Sequence, residues 1–253
     1  MLCLSGLDPT GGAGLQADIE AIAALGGHAL GLVTALTVQD SRNVAAVHAV
    51  DPSVLAAQLD CLLADCRPAI AKLGLIGDPA QLPVILAAVR SCGAPLVCDP
   101  VLRAGGGAEL LGEGAVAALR HELLPAVSLL TPNAAEARRL CPGAGSLDDC
   151  GADLLAAGCG NVLITGGDEP GPEVVNTWYA PGRPPRRYAW PRLPETFHGA
   201  GCTLAAAIAA LWAQGLELEQ ALEQGQRWTH QALQRAFAVG RGRRIPGRFG
   251  SSL

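Results

Sequence analysis

Short apolar runs and amphipathic stretches take turns along this 253-residue chain, and that alternation limits the fold more than any other feature of the sequence. Parallel strands cannot be joined by a tight turn and need a crossover, usually a helix. A strand–helix–strand rhythm therefore points to an α/β fold with a largely parallel sheet. The pattern predicts strands at 2–5, 28–34, 69–73, 95–98, 127–130 and 162–165. Helices are predicted at 13–25 and 53–63, with another running to Val89. Asp51-Pro52 and Asp78-Pro79 give the second and third an N-cap and a first-turn proline. Between Glu173 and Trp190, Val-Val-Asn-Thr-Trp-Tyr, a proline/arginine turn and Arg-Tyr-Ala-Trp read as an antiparallel hairpin at the sheet edge. Helices at 199–214 and 218–237 close the sequence. No internal repeat or long linker interrupts it, so residues 1–253 are expected to form one domain.

Half of the residues are hydrophobic, enough for a substantial core. A formal net charge of −5 and a pI near 5.5 give no support to a nucleic-acid or membrane-surface role, so any anionic ligand must be held by local donors. Lys72 is the only lysine beside seventeen arginines, which reads first as a genome-composition bias. The nine cysteines include no C-x-x-C pair and no His/Cys cluster at metal-ligand spacing. Reduced thiols in a cytoplasmic protein are the natural reading. Every apolar run is broken well before the ~18 residues that a membrane helix needs.

Candidate chemistry gathers where predicted strands end. Phe197-His198-Gly199-Ala200-Gly201-Cys202-Thr203 runs into an alanine-rich helix, so its glycines form a turn at a helix N-terminus. Free amides and the helix dipole there would hold a phosphate or a developing oxyanion. A thiol in that field tends toward a lowered pKa, which would make Cys202 a base or nucleophile; the alternative is a buried, inert cysteine. The first strand leads into Ser5-Gly6-Leu7-Asp8-Pro9-Thr10-Gly11-Gly12-Ala13-Gly14, which is neither a P-loop nor a complete G-x-G-x-x-G fingerprint. Asp18, one turn into the next helix, is either a ligand group or an acid favoured by the helix dipole.

Asp99 stands at the carboxyl end of a strand, where ligands bind in open α/β sheets. Thr131-Pro132 would start a helix presenting Asn133 and Glu136 on one face, with Glu136 either a magnesium-organising acid or a capping residue. The turn Thr165-Gly166-Gly167-Asp168 would let a triphosphate approach the backbone, or is simply tight. Acids and glycine cradles converging at the strand ends suit phosphoryl transfer, where catalysis comes from positioning and charge neutralisation. Arg241, Arg243, Arg244 and Arg248, in the glycine-rich tail from Gly240, are expected at a solvated end.

Together, 5–18, Thr34-Ala35-Leu36-Thr37-Val38-Gln39, Lys72-Leu73-Gly74-Leu75, Asp99-Pro100-Val101, 131–136 and 198–203 resemble the hydroxymethylpyrimidine/phosphomethylpyrimidine kinases of the ribokinase-like superfamily. The most specific marker is the cysteine after Gly-x-Gly, where most ribokinase-like enzymes carry an aspartate base. The resemblance implies a three-layer α/β/α sandwich, usually a cytoplasmic homodimer. The implied reaction phosphorylates 4-amino-5-hydroxymethyl-2-methylpyrimidine, its monophosphate, or both, with ATP and Mg2+ in thiamine biosynthesis.

By that resemblance, Gly6, Ala13, Asp18, Gln39, Leu75 and Val101 line the pyrimidine pocket. Asp99 and Glu136 organise magnesium through water, and together with Asn133, Thr165 and Gly167 hold ATP phosphates. The amides of Gly199, Ala200 and Gly201 hold the developing charge, and Cys202 takes the proton from the attacking oxygen. The chain departs from the family pattern in three places. Arg103-Ala104-Gly105-Gly106-Gly107 and Thr165-Gly166-Gly167-Asp168 stand where lysine-bearing segments are common, and Leu75 stands where methionine is common. Pyridoxal kinase and a non-catalytic pyrimidine-binding protein are the rival readings. A cysteine hydrolase is disfavoured because Leu204 replaces the second glycine of a nucleophile elbow.

Overall fold

The computed structural model describes residues 1–102 and 113–250. In chain order the elements are β1 (Leu2–Leu7), α1 (Gly14–Ala24), β2 (Leu30–Gln39), β3 (Val44–Ala49), α2 (Pro52–Asp65), β4 (Ala71–Leu73), α3 (Leu82–Cys92), β5 (Leu96–Cys98) and α4 (Glu113–Ala118). They continue with β6 (Leu129–Leu130), α5 (Ala134–Leu140), α6 (Leu147–Ala156), β7 (Val162–Ile164), β8 (Glu173–Tyr179), β9 (Arg186–Pro191), α7 (Ala200–Ala213) and α8 (Leu218–Gln234). The strands form one sheet in the order β3-β2-β1-β4-β5-β6-β7-β8-β9. The six strands from β2 to β7 in that order run parallel, and β3, β8 and β9 extend the sheet with antiparallel pairings at its two edges. This is the mostly parallel, three-layer arrangement that the alternation implied.

Both faces of the parallel strands are covered, which explains why they read as unbroken apolar runs. Alternate side chains go to opposite layers. Leu2, Leu4, Leu96, Cys98, Leu130, Val162 and Ile164 pack with α2, α3, α5 and α6. Val97, Leu129 and Leu163 pack against α7 and α8, while Cys3 meets α1 and α7. Each fully buried leucine contributes about 1.5–3 kcal/mol by leaving water. The alanines of α7 let that helix lie close on the sheet: Ala205, Ala206, Ala207 and Ala209 are fully buried.

Local signals set several helix starts. Asp51 accepts the amide of Ser53 at 2.8 Å and caps α2, and Asp78 accepts that of Ala80 at 2.7 Å, ahead of a 3-10 turn leading into α3. Helix α5 begins two residues later than the Thr131-Pro132 reading implied. Asn133 is its N-cap and Glu136 closes a capping box, worth about 1 kcal/mol. Strand β2 runs to Gln39, five residues beyond the expected end, and β3 was not foreseen; its alanine-rich, half-exposed run lacks a clear period of two. Among the described residues, no helix is long and apolar enough to cross a membrane.

Candidate active site

A cavity of about 230 Å³ opens at the carboxyl ends of the parallel strands. Of the expected site residues, Gly6, Ala13, Gln39, Leu75, Val101, Asp99, Asn133, Glu136, Thr165, Gly199, Ala200, Gly201 and Cys202 all line it. Asp18 and Gly167 do not. Arg103, the cation nearest in sequence to Asp99, lies outside the described residues.

The turn into α7 is set by Gly199, whose φ of +82° belongs to the left-handed region and whose α-carbon faces the Gly12 carbonyl so closely that a Cβ would collide with it. Two residues on, the position of a Cβ at Gly201 would be 3.7 Å from Asp99 Oδ1, so the bare start of α7 sits directly over the end of β5. Cys202 follows, partly exposed to the cavity. Its thiol is not lowered as the helix position alone predicts. Burial pushes it well up, the Asp99 carboxylate adds to the rise, and the Lys72 ammonium opposes it without reversing it. Cys202 is therefore a neutral thiol.

Beneath this floor lies a cluster absent from the sequence reading. Lys72 projects from β4 and is completely buried. Its Nζ contacts Asp18 Oδ1 at 2.9 Å and Ser5 Oγ at 3.3 Å, and Ser5 Oγ donates to Asp18 Oδ2 at 2.6 Å. Burial alone would lower the ammonium, but the Asp18 carboxylate, which it touches, raises it, so Lys72 stays charged. Asp18 is thus neither a pocket wall nor a solvated helix-dipole acid; it is the counter-ion of a buried lysine.

The pocket edge is ordered by a second pair. Burial would raise Asp8, but its oxygens accept from His198 Nε2 at 2.7 Å and from the amides of Thr10 and Ala13 at 2.8 Å each. The hydrogen bonds from His198 and Thr10 outweigh burial and hold the carboxyl below its ordinary value. This bond ties the first glycine-rich loop to the approach of α7. At the far wall, Thr37 Oγ1 donates to the Leu7 carbonyl at 2.8 Å and accepts Gln39 Nε2 at 2.8 Å, which leaves Gln39 Oε1 as an acceptor for a ligand.

The opposite end holds two acids with little compensation. Glu136 accepts from Asn133 N at 3.0 Å and Leu102 N at 3.3 Å, yet burial and the Asp99 charge push its carboxyl up to about 8. Asp99 is raised by burial, although Lys72 and a hydrogen bond from Cys202 pull it down. Such a pair accommodates a divalent cation. Among the described residues no group of three or more His, Cys, Asp or Glu could enclose a metal. Two oxygen donors with raised carboxyls are a set that Mg2+ held through water and ligand phosphates would fit. Gly167 lies off the cavity because its carbonyl accepts Arg192 Nη1 at 2.9 Å, while Asp168 takes the α5 amides of Ala134 at 3.2 Å and Ala135 at 2.9 Å.

The arginine-rich tail is not a solvated end. Arg248 has a fully buried side chain that donates to Thr203 Oγ1 at 3.0 Å, to the carbonyls of Gly11 and Gly12, and to Glu20 at 2.8 Å. Arg243 lines the cavity. The signal for this docking was Ile245-Pro246, an apolar pair inside the basic run, and both residues are buried.

Fold and cavity define an α/β phosphotransferase of the ribokinase-like class. Residues 8–246 match the model of the phosphomethylpyrimidine kinase family, and the chain belongs to that family. It is 37% identical over 253 aligned residues to a hydroxymethylpyrimidine/phosphomethylpyrimidine kinase from Escherichia coli K12, covering 95% of this chain and 94% of that one. A Bacillus subtilis pyridoxal kinase solved as an ADP complex is similar in structure, with a TM-score of 0.88 at 26% identity over 98% of this chain and 96% of the other. A phosphomethylpyrimidine kinase from Clostridium difficile 630 gives 0.79 at 28% identity, over 92% and 98%.

Proposed function

We propose that this chain, working as one kinase domain in the cytoplasm, uses ATP to phosphorylate 4-amino-5-hydroxymethyl-2-methylpyrimidine, its monophosphate, or both, on the path to thiamine. One observation carries the reading. An apolar slot between Leu75 and Val101, edged by Gln39, shares a cavity with the amide turn of α7 and the Asp99–Glu136 pair. The slot takes a small heteroaromatic ring, and Gln39 Oε1 accepts from its exocyclic amino group.

In the transfer, a substrate oxygen forms a bond to the γ-phosphorus as the bond to the ADP oxygen breaks. Gly199 is the N-cap of α7, so in place of its amide the free first-turn amides of Ala200, Gly201 and Cys202 would hold the charge of the transferred group. Asp99 and Glu136 would hold Mg2+ through water, and the cation, when bound, neutralises phosphate charge. The neutral Cys202 thiol favours the monophosphate, whose attacking oxygen is already anionic and accepts a hydrogen bond from Sγ. With the alcohol, Cys202 must first give its own proton up to water before it can take the substrate's, and the Lys72 ammonium beneath lowers that cost.

Homodimerisation belongs to the same proposal; exposed Leu36, Val38 and Val54 leave apolar surface for it, and sedimentation equilibrium tests it. The structural likeness to a pyridoxal kinase favours pyridoxal as a second substrate to test. ADP release with saturating Mg-ATP, measured for the alcohol, the monophosphate and pyridoxal separately, decides among the readings. Turnover of either pyrimidine above pyridoxal supports the proposal. Pyrimidine binding without ADP release makes the chain a binding protein instead.

A further inference from the structure

We infer that Arg243 is a specificity-determining residue that reads the phosphate of the monophosphate substrate and so sets the preference between it and the alcohol. This rests on the pyrimidine-kinase reading above and deepens it.

The backbone fixes where Arg243 stands. Gly242 N donates to Ser41 Oγ at 3.0 Å and Arg243 N to the Ser41 carbonyl at 2.9 Å, which pins the strap to the β2–β3 turn. One residue on, Arg244 N donates to the Thr196 carbonyl at 3.0 Å and His198 N to the Arg244 carbonyl at 2.8 Å. The side chain therefore springs from a point stitched on both sides, between the pyrimidine end of the cavity and the approach to α7.

The guanidinium is also poorly used. Its contacts are long, Nη1 to the Phe197 carbonyl at 3.5 Å and Nη2 to the Arg42 carbonyl at 3.4 Å, and its Nε is buried with no hydrogen-bond partner. A guanidinium has five N–H donors in a fork that matches phosphate oxygens, and leaving buried donors unmade is costly. Burial disfavours its charge, and Asp8, which favours it, is already bound by His198, Thr10 and Ala13.

A dianionic substrate needs this charge more than a neutral alcohol does. The cavity presents Asp8, Asp99 and Glu136, and among the described lining residues Arg243 is the only arginine or lysine. Lys72 lies beneath the floor, spent on Asp18.

Sheet order separates the substrate phosphate from those of the nucleotide. Arg243 is tied to the turn after β2, whereas Asn133 and Glu136 follow β6, four strands away in the sheet. At about 4.8 Å per strand this is roughly 19 Å across the sheet, so the guanidinium reaches the acceptor side and not the acids at the nucleotide end.

The test compares the parent with Arg243→Gln and Arg243→Lys, measuring kcat and KM for the alcohol, the monophosphate and ATP, with melting temperature alongside. In Arg243→Gln the ratio of kcat/KM for monophosphate over alcohol falls about tenfold to a hundredfold, mainly through KM, as expected for a lost charge-assisted contact. Arg243→Lys recovers part of it. A ratio within twofold of the parent overturns the inference, as does a rise confined to the KM for ATP. Parallel loss of both activities with a lowered melting temperature also overturns it, because Arg243 is then only part of the strap. If the parent phosphorylates neither pyrimidine, the kinase reading falls separately. Calorimetric binding of the two pyrimidines then still judges Arg243: a preference for the monophosphate that vanishes in Arg243→Gln upholds it, and the absence of any such preference sinks it.

Discussion

At the β1–β4 end of the cavity each acid has its match: Asp18 is paired with Lys72, and Asp8 takes His198 and two loop amides. At the β5–β6 end, Asp99 and Glu136 face one another with backbone amides, the Cys202 thiol and a partial share of Lys72 as their compensation, and both carboxyls are raised. The two ends lie in one cavity with the same strand-end geometry. What separates them is where the compensating charge comes from. The first end carries its own. The second has less of it among the described residues, and under the proposed function a metal-bound triphosphate would supply the rest.

The comparison breaks most visibly at Cys202, the group between the two ends. Cys202→Ala should lower turnover of the alcohol by about a hundredfold to ten-thousandfold, the usual worth of a positioned base, and cost the monophosphate much less. Equal rates for mutant and parent on the alcohol would remove Cys202 from proton transfer. Next comes the buried pair. Lys72→Met strands Asp18 without a cation and should cost about 3–5 kcal/mol in urea unfolding, whereas Lys72→Met with Asp18→Asn recovers most of it. If the double variant is as unstable as the single one, the pair is not what the lysine is for.

Asp8→Asn tests the same end by pH. A carboxyl held below 3.8 in the fold stabilises it above that value and loses the contribution as pH falls through the lower, folded pKa. The variant should be about 1–3 kcal/mol less stable at pH 7, with the gap narrowing below pH 3.8. A gap that stays constant into acid speaks against the charge.

Glu136→Gln addresses the other end, and its effect on stability depends on pH. The folded carboxyl keeps its proton to about 8 while the unfolded one loses it near 4.5, so the parent loses stability as pH rises between them. The neutral variant should therefore match the parent at acid pH and become the more stable of the two as pH rises toward 8, yet use Mg-ATP poorly. A destabilised Glu136→Gln with unaltered KM for ATP would make Glu136 a capping residue and nothing more.

Much of the site was readable because its signals are local. The Gly-Ala-Gly-Cys turn, the acid after β5 and the Asn133/Glu136 cap each sit within a few residues, and the strand rhythm carried them all to the carboxyl ends of the parallel strands. Glu136 satisfies both of its readings at once: its carboxylate closes the capping box and still faces Asp99. Lys72 shows the limit. As the single lysine among arginines it looked like a remnant of composition bias, but its slot has no exposure and holds a compact ammonium against Ser5 and Asp18. A guanidinium would overfill it.

The sequence by itself determined most of the strand–helix order, the Asp51 and Asp78 caps, and which backbone turns were candidates to cradle an anion, because each depends on spacing and on residues close in the chain. Tertiary structure decided what the charged groups do. Lys72 meets Asp18 across 54 positions, His198 meets Asp8 across 190, and Arg248 reaches Gly11 across 237. It also set the direction in which the Cys202 thiol moves. A thiol's pKa depends on the burial and charge that surround it, and at Cys202 those come from strands and loops that only folding brings together.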